Sequence, residues 1–223
     1  FTGLSVYFPV LFNGFVWDDE LMFQKPVQAG AYFRPVITAV YWTIYNIFGS
    51  RPFFFHFFQL VFHIATAVLI YFLFKQIFKE IIALILAVIF LVHPANVEAV
   101  SFVSAMQESA FTLVGMAGLY LFAGGRDEAC LVSTKNIIFG TILILVALLM
   151  KETVIVFFPL AFFYLILFKR EDKNILINYS VLSTILLMAY FLFRISSGNI
   201  YVQGPGLFPI MRVSLATRLI NIP

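Results

Sequence analysis

Charge is what this sequence has least of. Charged residues make up 11% of its 223 residues, hydrophobic ones 62%, and the mean hydropathy is +1.01. A soluble domain carries roughly 25% charged residues, so most of this chain's surface has to face lipid. Cysteine is nearly absent, and the single Cys130 excludes an internal disulfide and a cysteine-based metal cage. Lysine and arginine are scattered through short loops. The net charge of +3 therefore forms no basic patch, and nucleic acid is not an expected partner. Walker-type and GxGxxG phosphate loops, a GxSxG elbow and an HExxH metal helix are all missing. No metal site is indicated, divalent ions included, and no other cofactor. Internal repeats, low-complexity tracts and a soluble domain are missing too.

Long apolar runs are what fills the chain. A bilayer core needs ~20 apolar residues to be crossed as a helix. Candidate spans are Phe1–Val16 (truncated), Phe53–Phe74, Ile81–Val92, Ala99–Phe122, Ile137–Met150, Thr153–Phe168 and Ile175–Phe193. That makes about seven membrane segments, an all-α polytopic helical bundle. The chain opens inside an apolar run and stops at Asn221-Ile222-Pro223, and it reads as a piece of a longer protein. Lys151-Glu152 separates two runs that together are too long for one crossing. A hairpin with that pair at its tip is the expectation, and one kinked helix the alternative. Residues 25–52 contain Val36–Phe48, rich in aromatic and β-branched residues, and end in the turn-forming Gly49-Ser50-Arg51-Pro52. A helix lying in the interface suits this stretch.

Lys and Arg set the orientation. Lys75, Lys79, Arg126, Lys135, Lys169, Arg170 and Lys173 fall in one set of loops, which is assigned to the cytoplasm. The acidic triplet Asp18-Asp19-Glu20, His93-Pro94, Lys151-Glu152 and the tail after Arg194 then share the extracytoplasmic face. Residues 17–52 form the first outer loop, and 194–223 begin a later one.

Acids at the end of a membrane-grade segment are costly unless they face water or do chemistry. Asp18 and Asp19 are candidate general bases for an acceptor hydroxyl. Glu20 supports them, and a plain interfacial loop is the alternative. His93-Pro94 closes one span and Glu98 opens the next. On a continuous helix Glu98, Ser101, Ala105 and Glu108 share one face, placing two carboxylates and a hydroxyl in an apolar span. Hydrogen bonding to a neighbouring helix is the competing reading. Lys151 at a hairpin tip can snorkel or bind phosphate as a point charge. Glu152 beside it points elsewhere, so Lys151 needs another anionic partner. Arg34 and Arg194 are further phosphate candidates on the same face. His56 and His63, seven apart, are read as packing or interhelical hydrogen-bonding residues.

The order of these motifs is similar to a known family. The Asp-Asp pair is followed by Tyr32-Phe33-Arg34-Pro35, Phe55-His56 with His63, His93-Pro94-Ala95-Asn96-Val97-Glu98-Ala99-Val100, Lys151-Glu152-Thr153 and Pro159. This resembles the membrane portion of the transmembrane and tetratricopeptide-repeat O-mannosyltransferases and their bacterial relatives, within the GT-C glycosyltransferase superfamily. The resemblance reaches from the first acids to Met211-Arg212 and implies a GT-C-like membrane domain, of which residues 1–223 are the N-terminal part. It implies transfer of a sugar, mannose foremost, from a polyprenyl- or dolichyl-phosphate carrier to a protein Ser or Thr hydroxyl. The base role falls on Asp18 or Asp19. Where the family tends to show Gly-Arg-x-Asp, this chain reads Ala105-Met106-Gln107-Glu108, so the arginine is missing and the acid is kept in type. The implied setting is an integral, multi-pass protein of the endoplasmic reticulum membrane in a eukaryote or the plasma membrane in a bacterium. Its partners are the lipid-linked donor, a protein acceptor, membrane lipid and other membrane proteins. A non-catalytic scaffold derived from such a transferase is the runner-up, and a transporter or flippase the third reading.

Overall fold

The computed structural model describes residues 2–16, 19, 22, 33–123, 133–168 and 173–196. Every regular element among them is helical: α1 Thr2–Tyr7, α2 Pro35–Phe48, α3 Pro52–Lys75, α4 Glu80–Val92, α5 Val97–Ser101, α6 Met106–Ala123, α7 Thr134–Leu148, α8 Phe157–Phe168 and α9 Lys173–Ser196. Short 3-10 turns cover Phe8–Phe12, Pro94–Asn96, Val103–Ala105 and Glu152–Val156.

Proline starts two of these helices and glycine stops one. Pro35 and Pro52 stand in the first turns of α2 and α3, where a missing N–H costs nothing. Gly49 ends α2 at φ 69°, a conformation that favours glycine, and its N–H donates to the Tyr45 carbonyl at 2.8 Å. α3 and α9 each have 24 residues and are apolar enough to cross a membrane. At the α-helical rise each is about 36 Å long, more than a hydrocarbon core. α4 has 13 residues and is bent by 48° from the Pro94–Ser101 segment; the pair passes as one broken span. His93, preceding Pro94, is extended at φ −64° and ψ 131°, as the proline ring requires.

Large apolar side chains stay on the outside. Ile81, Ile85 and Ile89 of α4, and Ile177, Val181 and Ile185 of α9, are all at least half exposed. Rows of this kind are stable against lipid, so the chain is a membrane protein. Its interior is packed through small residues. A Cβ on Gly118 would stand 2.8 Å from the Gly140 carbonyl oxygen, and one on Gly140 would stand 2.9 Å from that of Gly118. α6 and α7 thus meet backbone to backbone, as helices in lipid do. Phe122, Ile137, Ile144, Leu148, Phe158 and Leu165 fill the core around this crossing.

Two expected spans differ in the structure. Phe1–Val16, expected as a truncated span, is helical only as far as Phe12: α1 ends at Tyr7, a 3-10 turn runs to Phe12, and Asn13–Val16 is irregular. Ala99–Phe122 is not one helix either. It breaks at Phe102, which is extended at φ −102° and ψ 125°. Side chains replace the helical ladder there. Gln59 Nε2 donates to the carbonyls of Ala99 and Phe102, both at 2.6 Å, and the Ser104 N–H donates to Asp19 Oδ1 at 2.7 Å. The face drawn from Glu98 through Ser101 to Glu108 on a single helix therefore does not exist. The expected break between Ile137–Met150 and Thr153–Phe168 is present, with Lys151 extended between α7 and the Glu152–Val156 turn.

Candidate functional site

Helix ends create the site. The Val36 N–H, an orphan donor at the start of α2, donates to the Leu149 carbonyl, just past the end of α7, at 3.3 Å. That contact sets Arg34 beside the Lys151-Glu152 break. Arg34 Nε and Nη2 donate to Glu152 Oε2 at 3.1 and 2.9 Å, and Nη1 donates to Gln107 Oε1 at 2.8 Å. Arg194, in the last turn of α9, lies 3.4 Å from the other Glu152 oxygen and donates to the Tyr190 hydroxyl at 2.8 Å. Lys151 is ion-paired with Glu108, at the start of α6.

Arg34, Gln107, Glu108 and Lys151 border a cavity of about 670 Å³, whose charged lining among the described residues is Arg34, Glu98, Glu108 and Lys151. Asn96, Ser104, Gln107 and His63 line it too, and Thr66 and Thr112 lie deeper along α3 and α6. Helix breaks thus restore what the single-helix reading of Glu98 and Glu108 had required: both acids reach one space, from different elements. The hydroxyls of Thr66 and Thr112 donate to the carbonyls one turn earlier, of Phe62 and Glu108, leaving their oxygens as acceptors. Between α3 and α6 at the far end, the buried side chains Ile70, Leu73 and Leu119 are apolar.

Asp19 is fully buried and does not line the cavity. Oδ1 accepts from the Ser104 N–H and Oδ2 from the Val16 N–H at 3.0 Å, so both oxygens serve backbone donors. It is held against the cavity wall through Ser104. Asp18 and Glu20 lie outside the described residues. His93 is exposed and outside the cavity; its Nδ1 accepts from the Ala95 N–H at 3.1 Å and shapes the turn. Glu152 and Arg194 stand behind Arg34 rather than on the wall. The anionic partner that Lys151 needs besides Glu152 is, in this structure, Glu108, 43 residues away in sequence, and not a phosphate. Among the described residues no three His, Cys, Asp or Glu side chains gather as a metal site.

Sequence reasoning passed over Gln59 and gave Gln107 no role. Gln59 is a fully buried amide in an otherwise apolar helix, three residues after His56 and four before His63. That polar stripe was the available signal, since polar groups inside a span need partners. Where the related pattern has arginine, Met106 is fully buried in the core beside Val103 and Ala110.

The sequence model of the dolichyl-phosphate-mannose-protein mannosyltransferase family matches residues 25–196. The chain belongs to this family. It is also 26% identical over 102 residues to a protein O-mannosyl-transferase of Caenorhabditis elegans, a match covering 44% of the chain and 15% of the relative. The chain thus spans a small part of that relative's length. No solved structure matches it. The matched region contains Arg34, Glu98, Glu108 and Lys151, so the cavity's charged lining lies within the family's own segment.

Proposed function

We propose that this chain forms the donor-binding membrane portion of a GT-C-type glycosyltransferase. It moves mannose from a dolichyl- or polyprenyl-phosphate carrier to a protein Ser or Thr hydroxyl. The observation that carries the reading is the convergence of Arg34 and Lys151 on one cavity, from two helix ends that a bond between Val36 and Leu149 joins. Two cations at the end of a lipid-facing bundle suit a phosphate whose tail stays in the membrane.

The chemistry needs a base and a stabilised leaving group. The acceptor hydroxyl attacks the anomeric carbon, its proton passes to a carboxylate, and the bond from that carbon to the phosphate oxygen breaks. Charge gathers on the departing lipid phosphate, where Lys151 and Arg34 stabilise it. Asp19 has both oxygens engaged and is buried, so the base role falls to Asp18. Asp19 acts by fixing the acidic segment to the cavity wall. Glu98, exposed on that wall, suits contact with sugar hydroxyls.

Transport has less support. A flippase would need a polar path past Thr66 and Thr112, and the side chains buried between α3 and α6 beyond them are apolar. The full-length protein, assayed in detergent with dolichyl phosphate mannose and an acceptor polypeptide, tests the proposal. Mannose transfer is expected and should be lost in Asp18→Asn. Equal transfer by wild type and Asp18→Asn would remove the base assignment, and no transfer by wild type would leave the scaffold reading in its place.

A further inference from the structure

The cations at this site already hold carboxylates, and the carboxylates differ in position. Glu152 is clasped by Arg34 and Arg194 and stands outside the cavity. Glu108 is in the cavity, on Lys151. An anion entering this space therefore meets a lysine whose place is taken. Among the described lining residues the charges balance, with Arg34 and Lys151 against Glu98 and Glu108.

Glu108 is built to let go. Among the described residues the hydroxyl bonded to Glu108, that of Thr112, donates to its backbone carbonyl, so the carboxylate is held by Lys151. Glu108 and Lys151 are both half-buried, with open cavity beside them. Glu152, gripped by two guanidinium groups, has no comparable freedom.

Resting on the proposal that the cavity receives a lipid-linked phosphate, we infer that Glu108 is a specificity-determining residue that occupies Lys151 in the empty site and is displaced by the incoming phosphate. Its charge then limits how much negative charge the site accepts. A sugar phosphodiester carries one negative charge. The monoester left after transfer carries about 1.5 to 2 near neutral pH. A carboxylate beside the phosphate penalises the extra charge, so it favours the donor over the spent carrier and discriminates by repulsion rather than by added contacts. Glu108 thereby assists release of the product that the two cations would otherwise retain.

Binding of dolichyl phosphate and of dolichyl phosphate mannose to the purified full-length protein tests this, comparing wild type, Glu108→Gln and Lys151→Met. Glu108→Gln should tighten dolichyl phosphate about tenfold, the order expected for removal of one like charge about 4 Å away in a water-filled space. It should tighten the mannose diester less. Unchanged or weaker monoester binding overturns the inference. Lys151→Met should weaken both ligands. If it binds both as wild type does, the phosphate site itself is wrong; if it weakens both while Glu108→Gln gains nothing, only the role of Glu108 falls. The wild type gives a second measurement that needs no variant. A carbodiimide should join the Glu108 carboxyl to the Lys151 amine as an amide, and saturating dolichyl phosphate should suppress that crosslink. A crosslink yield indifferent to the lipid also overturns the inference.

Discussion

Asp19 accepts the backbone N–H of Ser104 across 85 residues of sequence. This bond ties the first acidic segment to the turn that opens α6. Asp19 is the anchor of that contact, and the proposed function gives the base role to its neighbour Asp18.

The two aspartates should therefore separate on mutation. Asp19→Ala removes a buried acceptor from two partly buried backbone donors, which costs about 2 to 4 kcal/mol when charge-assisted bonds are lost. Asp18→Asn should leave the melting temperature in detergent unchanged while mannose transfer falls by about 10²- to 10⁴-fold. A large loss of melting temperature in Asp18→Asn, with none in Asp19→Ala, would reverse the two roles.

Gln59 holds the helix break open. Gln59→Leu fills similar volume but removes both donations, while the Phe102 carbonyl keeps the Ala105 N–H at 3.0 Å and the Ala99 carbonyl keeps the Ser109 hydroxyl at 2.9 Å. A destabilisation of about 1 to 3 kcal/mol follows from two lost hydrogen bonds at about 0.5 to 1.5 kcal/mol each. Thermal unfolding in detergent measures it, and hydrogen exchange should show faster amide exchange confined to residues 97–105.

At the α6–α7 crossing there is no room for a methyl group. Gly140→Ala places a Cβ 2.9 Å from the Gly118 carbonyl oxygen and 2.9 Å from the Phe122 ring. The ring can turn and the backbone cannot, so the helices must separate, at about 1 to 3 kcal/mol for overpacking. Gly14→Ala, with nothing within 4 Å of the added carbon, is the control and should melt like wild type.

Arg34 joins Glu152 to Gln107, and lysine cannot reproduce that fork. Arg34→Lys keeps the charge and should still lower kcat/KM for the lipid-linked donor by about tenfold, corresponding to 1.4 kcal/mol. Kinetics at varied donor concentration check this. A rate equal to wild type would make Arg34 an exchangeable cation.

The parts of this fold legible in the sequence were those written locally. Pro52 and a 24-residue apolar run specify α3, and Pro35 with Gly49 brackets α2. The break at Lys151-Glu152 could be read from two charges between apolar runs. What was not legible depended on partners far along the chain. Nothing near Phe102 announces a break, because the groups that stabilise it are Gln59 and Asp19. Lys151 looked solitary because its partner Glu108 comes from another helix. Arg34, Glu98, Glu108 and Lys151 stand out in the sequence, since charge inside an apolar chain is conspicuous. Their pairing does not, because it joins residues far apart in the chain.

The most direct test is a structure of the full-length protein with dolichyl phosphate mannose bound, determined by electron microscopy in nanodiscs. The account predicts phosphate density within hydrogen-bonding distance of Lys151 Nζ in the cavity bounded by Arg34 and Glu98, with the Glu108 carboxylate withdrawn. Phosphate density elsewhere, with Lys151 and Glu108 still paired and the cavity vacant, would contradict it.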